Sequence, residues 1–375
     1  MKKKINILIF TEPTSAGVKR HVVDIIRNMH GLDFNFTLVY SLRRADNSFF
    51  DELNQIKEMG VKTYETTLTS KPEPISDIYN SLVFARILLR ERPDILHCHA
   101  SKAGFIGRIV GRFILVKTPI FFTPNVISCK LNHSYHWLER IAAPFTSLII
   151  GSSESETKDL NELSFLDKIP KQTVPLCIYE REQKNRDTSL KEKRSINVGA
   201  CGRITHQKQA LLFFKVAHSL QQTHPDFHFK WIGDFHKDDK ESIKVKNFLE
   251  ENQLTNISIT GWLENPLEEI EKLDIFLMLS RYESFGYVTA DALLAGIPVI
   301  GTRTTGTIDL IKDGYNGYLC GNNLNEIRDK LIHLKESENY TYMYLSQNAH
   351  KSIKTNYKMD IMISKLSSLY KEWSL

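Results

Sequence analysis

Cysteine is scarce: five in 375 residues, at positions 98, 129, 177, 201 and 320. No two of them stand as C-x-x-C, which excludes a disulfide scaffold and a zinc framework and leaves reduced thiols in or near the core. No run of about 18 uninterrupted apolar residues occurs, which excludes a polytopic membrane chain. Charge of one sign is also lacking. There are 49 Lys+Arg against 44 Asp+Glu, a net +5, with 25% charged and 42% hydrophobic residues. That is ordinary globular composition, neither disordered nor fibrous. The opening Met1-Lys2-Lys3-Lys4 is basic. The apolar run behind it, Ile5–Phe10, is broken by Asn6, however, and is shorter than the about 7–15 residues of a signal core. It reads as a buried first strand.

At about 150 residues per domain the length suggests two domains. The charge is uneven between them. Residues 1–175 hold 23 Lys+Arg and 18 Asp+Glu, an excess of +5, whereas residues 176–375 hold 26 of each. A basic first half suits an anionic partner such as a phosphate or an acidic membrane face. A nucleic-acid binder is a poorer reading, since the excess is small and no binding motif accompanies it.

Hydrophobic patterning alternates strand and helix. Ile5–Phe10, Phe34–Tyr40, Ile95–His97, Pro119–Phe122 and Leu148–Ile150 read as strands; Gly17–Met29 and Tyr79–Leu89 have helical spacing. Residues 180–195 are almost wholly polar and read as a linker. The alternation then restarts with Ile196–Ala200, the helix Ala210–Leu220, His228–Ile232, Ile257–Thr260, Ile275–Leu279, the helix Thr289–Ala295 and Val299–Gly301. Two α/β units with parallel sheets are implied. Ligands of such sheets bind beyond the carboxyl ends of the strands, so chemistry is expected in a cleft where the two units face each other.

No G-x-G-x-x-G follows the first strand and no Walker loop exists, which argues against a nicotinamide dehydrogenase or a P-loop NTPase. The richest segment is Ser280-Arg281-Tyr282-Glu283-Ser284-Phe285-Gly286-Tyr287 and the helix after it. A strand ends, the carboxylate of Glu283 follows, Gly286 allows close backbone approach, and Asp291 comes eight residues after Glu283. The exposed N–H groups at such a helix start can hold a diphosphate, and two carboxylates can accept from vicinal hydroxyls. A second segment, Gly202-Arg203-Ile204-Thr205-His206-Gln207-Lys208, sets two cations after a strand, suited to phosphate oxygens.

Together these segments resemble the retaining, nucleotide-sugar-dependent glycosyltransferases of the GT-B fold (group 1 and family 4), which include enzymes of bacterial capsule and lipopolysaccharide synthesis. Gly202-Arg203 with Lys208 is similar to the family's Gly-Arg-x4-Lys motif. Glu283-x7-Asp291 resembles its Glu-x7-Glu motif, and Ala295-Gly296-Ile297-Pro298-Val299 the usual sequel. Gly301, Gly306 and Asp309–Gly314 resemble the donor-side glycine loop. Ala16-Gly17 resembles the Gly-Gly entry, and Asp94-Ile95-Leu96-His97-Cys98-His99 the acid–strand–H-x-H segment. Departures are Ala16 for the first entry glycine, Asp291 and Asp309 where Glu is usual, and Asn125 in Thr123-Pro124-Asn125 where Thr-x-His is common. Asn125 can donate a hydrogen bond but cannot move a proton at neutral pH.

The resemblance implies two Rossmann-like doubly wound domains. An acceptor-binding domain spans 1–178, a donor-binding domain spans 179–355, and a C-terminal helix from about 356 to 375 packs back on the first. It implies Glu283, Arg203 and Lys208 as the catalytic set. Arg203 and Lys208 neutralise the donor diphosphate, Glu283 binds sugar hydroxyls, and Asp291 binds the ribose. Backbone amides around Phe285, Gly286 and Tyr287 support the diphosphate, and Gly17 lets the first loop approach it. Lys19, His99 and Asn125 are acceptor-side candidates. No metal and no cofactor are implied, since no D-x-D motif appears. The partners are a nucleotide-sugar donor and a lipid-diphosphate-linked or oligosaccharide acceptor, with a cytoplasmic, peripheral location at the inner membrane face. An epimerase and a non-catalytic carbohydrate-binding protein on the same fold are the rival readings.

Two further features stay open. His97 and His99 share one face of a strand and read as a structural pair, with direct catalysis as the alternative. Phe105–Lys117 mixes apolar residues with Arg108, Arg112 and Lys117. It reads either as a helix packed on its own sheet or as a segment lying on an anionic membrane.

Overall fold

The structure, a computed structural model, describes residues 4–131, 135–181, 190–237 and 239–374. Most of the expected linker, residues 182–189, lies outside the described residues. The chain divides into two compact units: Met1–Leu176 with Met359–Leu375, and Cys177–Lys358.

The first unit holds seven strands, β1 (Ile5–Thr11), β2 (Phe34–Ser41), β3 (Lys62–Thr66), β4 (Ile95–His99), β5 (Ile120–Thr123), β6 (Leu148–Gly151) and β7 (Lys171–Thr173). They form one sheet in the order β3-β2-β1-β4-β5-β6-β7, parallel throughout. Its helices are α1 (Ala16–Met29), α2 (Asn47–Glu58), α3 (Pro74–Glu91), α4 (Ser101–Ile114), α5 (Ser128–Leu131), α6 (His136–Ala142) and α7 (Glu154–Asn161). The second unit carries β8 (Ile196–Cys201), β9 (Phe227–Ile232), β10 (Ile257–Ile259), β11 (Ile275–Met278), β12 (Val299–Thr302) and β13 (Gly317–Cys320), ordered β10-β9-β8-β11-β12-β13 and again parallel. Its helices are α8 (Ala210–Leu220), α9 (Lys240–Asn252), α10 (Leu267–Ile270), α11 (Tyr287–Leu294), α12 (Thr307–Leu310), α13 (Leu324–Glu336) and α14 (Asn339–Asn356). The last helix, α15 (Met359–Trp373), belongs to the first unit.

Both sheets are doubly wound, and the strand order reverses between β1 and β4 in one and between β8 and β11 in the other. Those are the positions where open α/β sheets leave a crevice at their carboxyl edge. Burial explains the run-like sequences of the central strands. Ile7, Leu8, Ile9 and Phe10 are all buried, so β1 is covered on both faces. The edge strands β3 and β7 are short and polar, and their half-exposed Thr, Tyr and Lys residues gave no apolar alternation to read.

Helix α4 packs most of the 105–117 segment on its own sheet and leaves Phe113, Val116 and Lys117 exposed at its end. Gly104, Gly107 and Gly111 face the sheet; a Cβ on them would stand 2.2 Å from the Phe122 ring, 2.4 Å from Cys98 Sγ and 2.5 Å from Leu96. Arg108 is fully buried, with Nη2 2.8 Å from Glu139 Oε2 and its guanidinium 3.8 Å over the Phe122 ring. That part of the segment is packed tightly on its own sheet, and Arg108 is not available to a membrane. Helix α15 packs Met362, Leu366 and Tyr370 inward at a spacing of four. The Tyr370 hydroxyl lies 2.7 Å from His97 Nδ1, while His97 Nε2 lies 2.9 Å from Thr123 Oγ1. His97 is thus a satisfied core histidine. All five cysteines are buried, and none forms a disulfide.

Candidate functional site

In the second unit the carboxyl ends of β8 and β11 lead into two loops that are stitched together. Arg281 N donates to the Gln207 carbonyl at 2.8 Å and Gln207 Nε2 donates to the Tyr282 carbonyl at 3.0 Å. Gln209 Nε2 donates to the Leu279 carbonyl at 2.6 Å. Gln209 sits at φ +52, left-handed backbone that a non-glycine residue adopts only when its surroundings fix it.

The stitching brings Lys208 to Glu283, Nζ to Oε1 at 2.7 Å, with both side chains mostly buried. The Lys208 stem runs over Gly202, where a Cβ would stand 2.9 Å from Cε. Glu283 is fixed from its other side, its N–H donating to the Thr305 carbonyl at 3.2 Å. Gly306 makes that closure possible. Its φ is +75, and a Cβ there would meet the Glu283 carbonyl oxygen at 2.8 Å.

Asp291 lies half-buried in α11, close enough to β8 to act on Cys201. That thiol is pushed up to about 12 by burial, with Lys208 opposing and Asp291 adding to the rise. Lys208, Glu283 and Asp291 therefore share one electrostatic neighbourhood at the β8 edge. Arg203 occupies the same loop with an exposed side chain. The Phe285 ring is buried against Tyr287 and Tyr357, at centroid distances of 5.4 and 5.2 Å. Only the backbone of Phe285 remains for a ligand, next to Gly286 and Tyr287, where α11 begins and helical N–H groups lack intrahelical acceptors. Two anchored cation–carboxylate loops beside a helix start are chemically suited to an anionic, hydroxyl-rich ligand.

In the first unit the carboxyl ends of β1, β4 and β5 gather His21, His99 and Asn125, all buried. The Asn125 Nδ2 lies 3.3 Å from His21 Nδ1, and the His21 and His99 rings meet edge-on at 5.1 Å. Burial depresses the imidazoles. His21 falls to about 3, and His99 lies well below its ordinary value, with the neighbouring His97 and His21 adding to its fall. All three groups are neutral at pH 7. Among the described residues the Asn125 Oδ1 and both His99 nitrogens meet no partner at hydrogen-bond geometry, although Asn125 stands near enough to His99 to oppose part of its fall. Asn125 stands at φ +57 and Ala100, next to His99, at φ +63, so strained backbone concentrates around this edge.

Not every expected residue joins the cluster in this way. The left-handed residue of the entry loop is Ala16, at φ +52, while Gly17 lies within the first turn of α1. Lys19 is buried and tied to the α2 side, 3.0 Å from Asp46 and 3.1 Å from Glu52. Sequence reasoning passed over Glu12, which is buried after β1, its pKa raised by burial against the lowering effect of Arg44 at 3.2 Å. The available signal was an acid in the loop of a βα crossover, and burial cannot be read from one sequence. Among the described residues no group of three or more His, Cys, Asp or Glu is arranged to hold a metal ion.

The family model "Glycosyltransferase Family 4" matches residues 15–178, and "Glycosyl transferases group 1" matches residues 181–352. The chain belongs to the group 1 glycosyltransferases. The group 1 match contains Arg203, Lys208, Glu283 and Asp291; the family 4 match contains His99 and Asn125. The chain is 26% identical, over 99% of its length and 97% of the relative's, to N-acetyl-alpha-D-glucosaminyl L-malate synthase of Bacillus anthracis. It is 25% identical, over 81% of its length and 82% of the relative's, to UDP-Gal:alpha-D-GlcNAc-diphosphoundecaprenol alpha-1,3-galactosyltransferase of Escherichia coli. Among solved structures, Anabaena HepE in complex with UDP and glucose superposes with a TM-score of 0.79 at 15% identity, covering 98% of this chain and all of that one. As a glycosyltransferase the chain has the GT-B fold, two parallel-sheet Rossmann-like units.

Proposed function

We propose that this glycosyltransferase moves a sugar from a nucleotide-sugar donor to a lipid-diphosphate-linked saccharide, with retention of the donor's anomeric configuration, in building a bacterial surface polysaccharide. The observation that carries the reading is the Lys208–Glu283 pair at the edge of β8 and β11. It sets a cation for phosphate and an acceptor for sugar hydroxyls within one hydrogen bond of each other. In the reaction the bond from the anomeric carbon to the diphosphate breaks, and the bond to the acceptor oxygen forms on the same face. The acceptor proton passes to the leaving diphosphate. Arg203 and Lys208 balance the charge that develops there, without a divalent cation, and the N–H groups at the start of α11 assist. Asp291 holds the ribose.

Neutral Asn125, set by His21, meets an acceptor hydroxyl by hydrogen bonding rather than proton transfer. The likeness to the undecaprenol-linked galactosyltransferase supports the lipid-linked acceptor. The acceptor places the enzyme at the inner membrane face as a peripheral protein. No helix among the described residues is long and apolar enough to cross a membrane. The test is a panel of nucleotide sugars, ranked by the rise in Tm each gives at saturating concentration. A rise with one nucleoside diphosphate sugar that is lost in Lys208→Ala supports the assignment, and no response to any of them contradicts it.

A further inference from the structure

Helix α3 packs one face on α4 and β3 and turns a second apolar face outward. Asn80, Phe84, Ile87 and Leu88 face its own unit. Ile75, Ile78, Tyr79, Leu82 and Leu89, at helical spacing, are 88%, 64%, 59%, 58% and 55% exposed. These five recur at intervals of three, four and seven and form one outward stripe, about 20 Å long at 1.5 Å per residue. Arg86 lies within that stripe and Arg90 beside it, both exposed. Large exposed apolar stripes mark docking surfaces.

The neighbouring helices continue the pattern. α3 packs on α4 and α4 on α6. Phe113 and Val116 at the end of α4, and Trp137 and Ile141 on α6, are exposed as well. Exposed Lys117 and Arg140 accompany them.

The charge on this layer has one sign. Residues 74–146 contain four acids, Asp77, Glu91, Asp94 and Glu139, and none is exposed. Asp77 is paired with Lys102, Glu91 with Lys62 and Glu139 with Arg108, while Asp94 accepts from the Asn6 amide. Arg86, Arg92, Lys117 and Arg140 therefore present their charge outward, while Arg90 lies 3.7 Å from Glu91 and the exposed Glu73 stands just before α3, at its N-terminal end. This distribution decides the occupant. In a two-fold dimer the same patch would face itself. Arg86 would then meet its own copy with no exposed acid within α3 to relieve it. A bilayer surface rich in anionic lipid supplies both phosphate charge for the arginines and an apolar boundary for Ile75, Ile78, Tyr79 and Leu82.

We propose that the outward stripe of α3, flanked by the ends of α4 and by α6, docks this glycosyltransferase on an anionic membrane. The inference deepens the lipid-linked acceptor reading, on which its purpose rests, and it moves the contact from the buried Arg108 to α3 and the exposed end of α4. Binding comes from apolar insertion plus attraction of the arginines. Each Arg held at an anionic surface strengthens it about fivefold.

The experiment is co-sedimentation of the full chain with phosphatidylcholine vesicles, with and without 30% phosphatidylglycerol as an assay condition on the order of cellular anionic content. Ile78→Glu/Leu82→Glu and Arg86→Glu are compared with wild type. All three positions are exposed and lie outside the donor machinery, so Tm and the donor-induced Tm rise should match wild type. The expected result is binding to the anionic vesicles that weakens with salt. It should fall at least tenfold in the double apolar variant and about fivefold or more in Arg86→Glu. Equal binding by wild type and the double variant, or none to anionic vesicles, overturns the proposal. A dimer in solution that the double variant dissolves also overturns it, in favour of a second copy. Loss of the donor response with vesicle binding intact would instead sink the glycosyl-transfer reading and leave the docking surface standing.

Discussion

Lys208 Nζ stands 2.7 Å from Glu283 Oε1, so the cation proposed for the diphosphate and the carboxylate proposed for the sugar are partners in one ion pair. The pair joins the loop after β8 to the loop after β11, and neither charge is placed independently of the other. Lys208→Ala should lower kcat/KM by about 10²-fold or more, partly through lost charge balance and partly through a Glu283 left without its cation. Adding Glu283→Gln should then lower activity by much less than the product of the two single effects, a coupling of about 0.5–3 kcal/mol. Arg203→Ala, on an exposed side chain, should cost a similar factor without moving Tm. The kinetics of the four variants check this, and strictly multiplicative losses at Lys208 and Glu283 would show that the pair does not act as a unit.

Helix α8 was legible to the residue and α15 to within a few residues, because none of their apolar residues is exposed. Helix α3 was read from Tyr79, five residues late. Its first turn turns Ile75 and Ile78 outward, against the inward pattern that marks a helix. Strands β3 and β7 are edge strands whose composition carries no apolar alternation. Arg203, Lys208, Glu283 and Asp291 were singled out as candidates by resemblance and spacing. The Lys208–Glu283 contact was not legible, since it depends on how Gln207 and Gln209 stitch two loops 70 or more residues apart. The departure at Ala16 has a physical meaning only in the structure, where that residue holds the left-handed backbone that glycine adopts without strain.

Gly306→Ala combines a positive φ with a Cβ that would meet the Glu283 carbonyl at 2.8 Å. The backbone must shift, and Glu283 shifts with it. Stability should fall by about 1–3 kcal/mol, and donor kcat/KM by a larger factor than Gly314→Ala gives. Gly314 also has a positive φ, but its Cβ would meet nothing within 4 Å. Equal activity losses in the two variants would show that strain alone, and not the approach to Glu283, is at issue.

Asp291 tests the ribose assignment. Asp291→Ala should remove one or two charge-assisted hydrogen bonds of about 1.5–3 kcal/mol each, raising donor KM strongly. Asp291→Glu restores the usual family residue and should keep at least part of the affinity. A lowered Tm with unchanged donor KM in Asp291→Ala would make the residue structural and leave Glu283 as the only carboxylate on the donor.

The buried imidazoles make stability depend on pH. His21 and His97 are held to about 3 by burial, and His99 well below its ordinary value. In the unfolded chain each takes up a proton below about pH 6.5. The unfolded state therefore binds more protons between pH 6.5 and 3. Stability from these groups is complete above the unfolded value and is lost as pH falls through that window. The slope is up to about 1.4 kcal/mol per pH unit for each histidine. Denaturant unfolding at pH 7.5 and 5.0 measures it, and His99→Asn should flatten the difference. A stability that does not fall between those pH values contradicts neutral, buried histidines.

The most direct measurement is the anomeric configuration of the product, read by NMR after incubating the best donor from the nucleotide-sugar panel with a lipid-diphosphate-linked saccharide in EDTA. Transfer with the donor's configuration preserved, abolished to within about 1% by Lys208→Ala, is the predicted result. An inverted product, or a donor consumed to free or epimerised sugar with no acceptor modified, would contradict it.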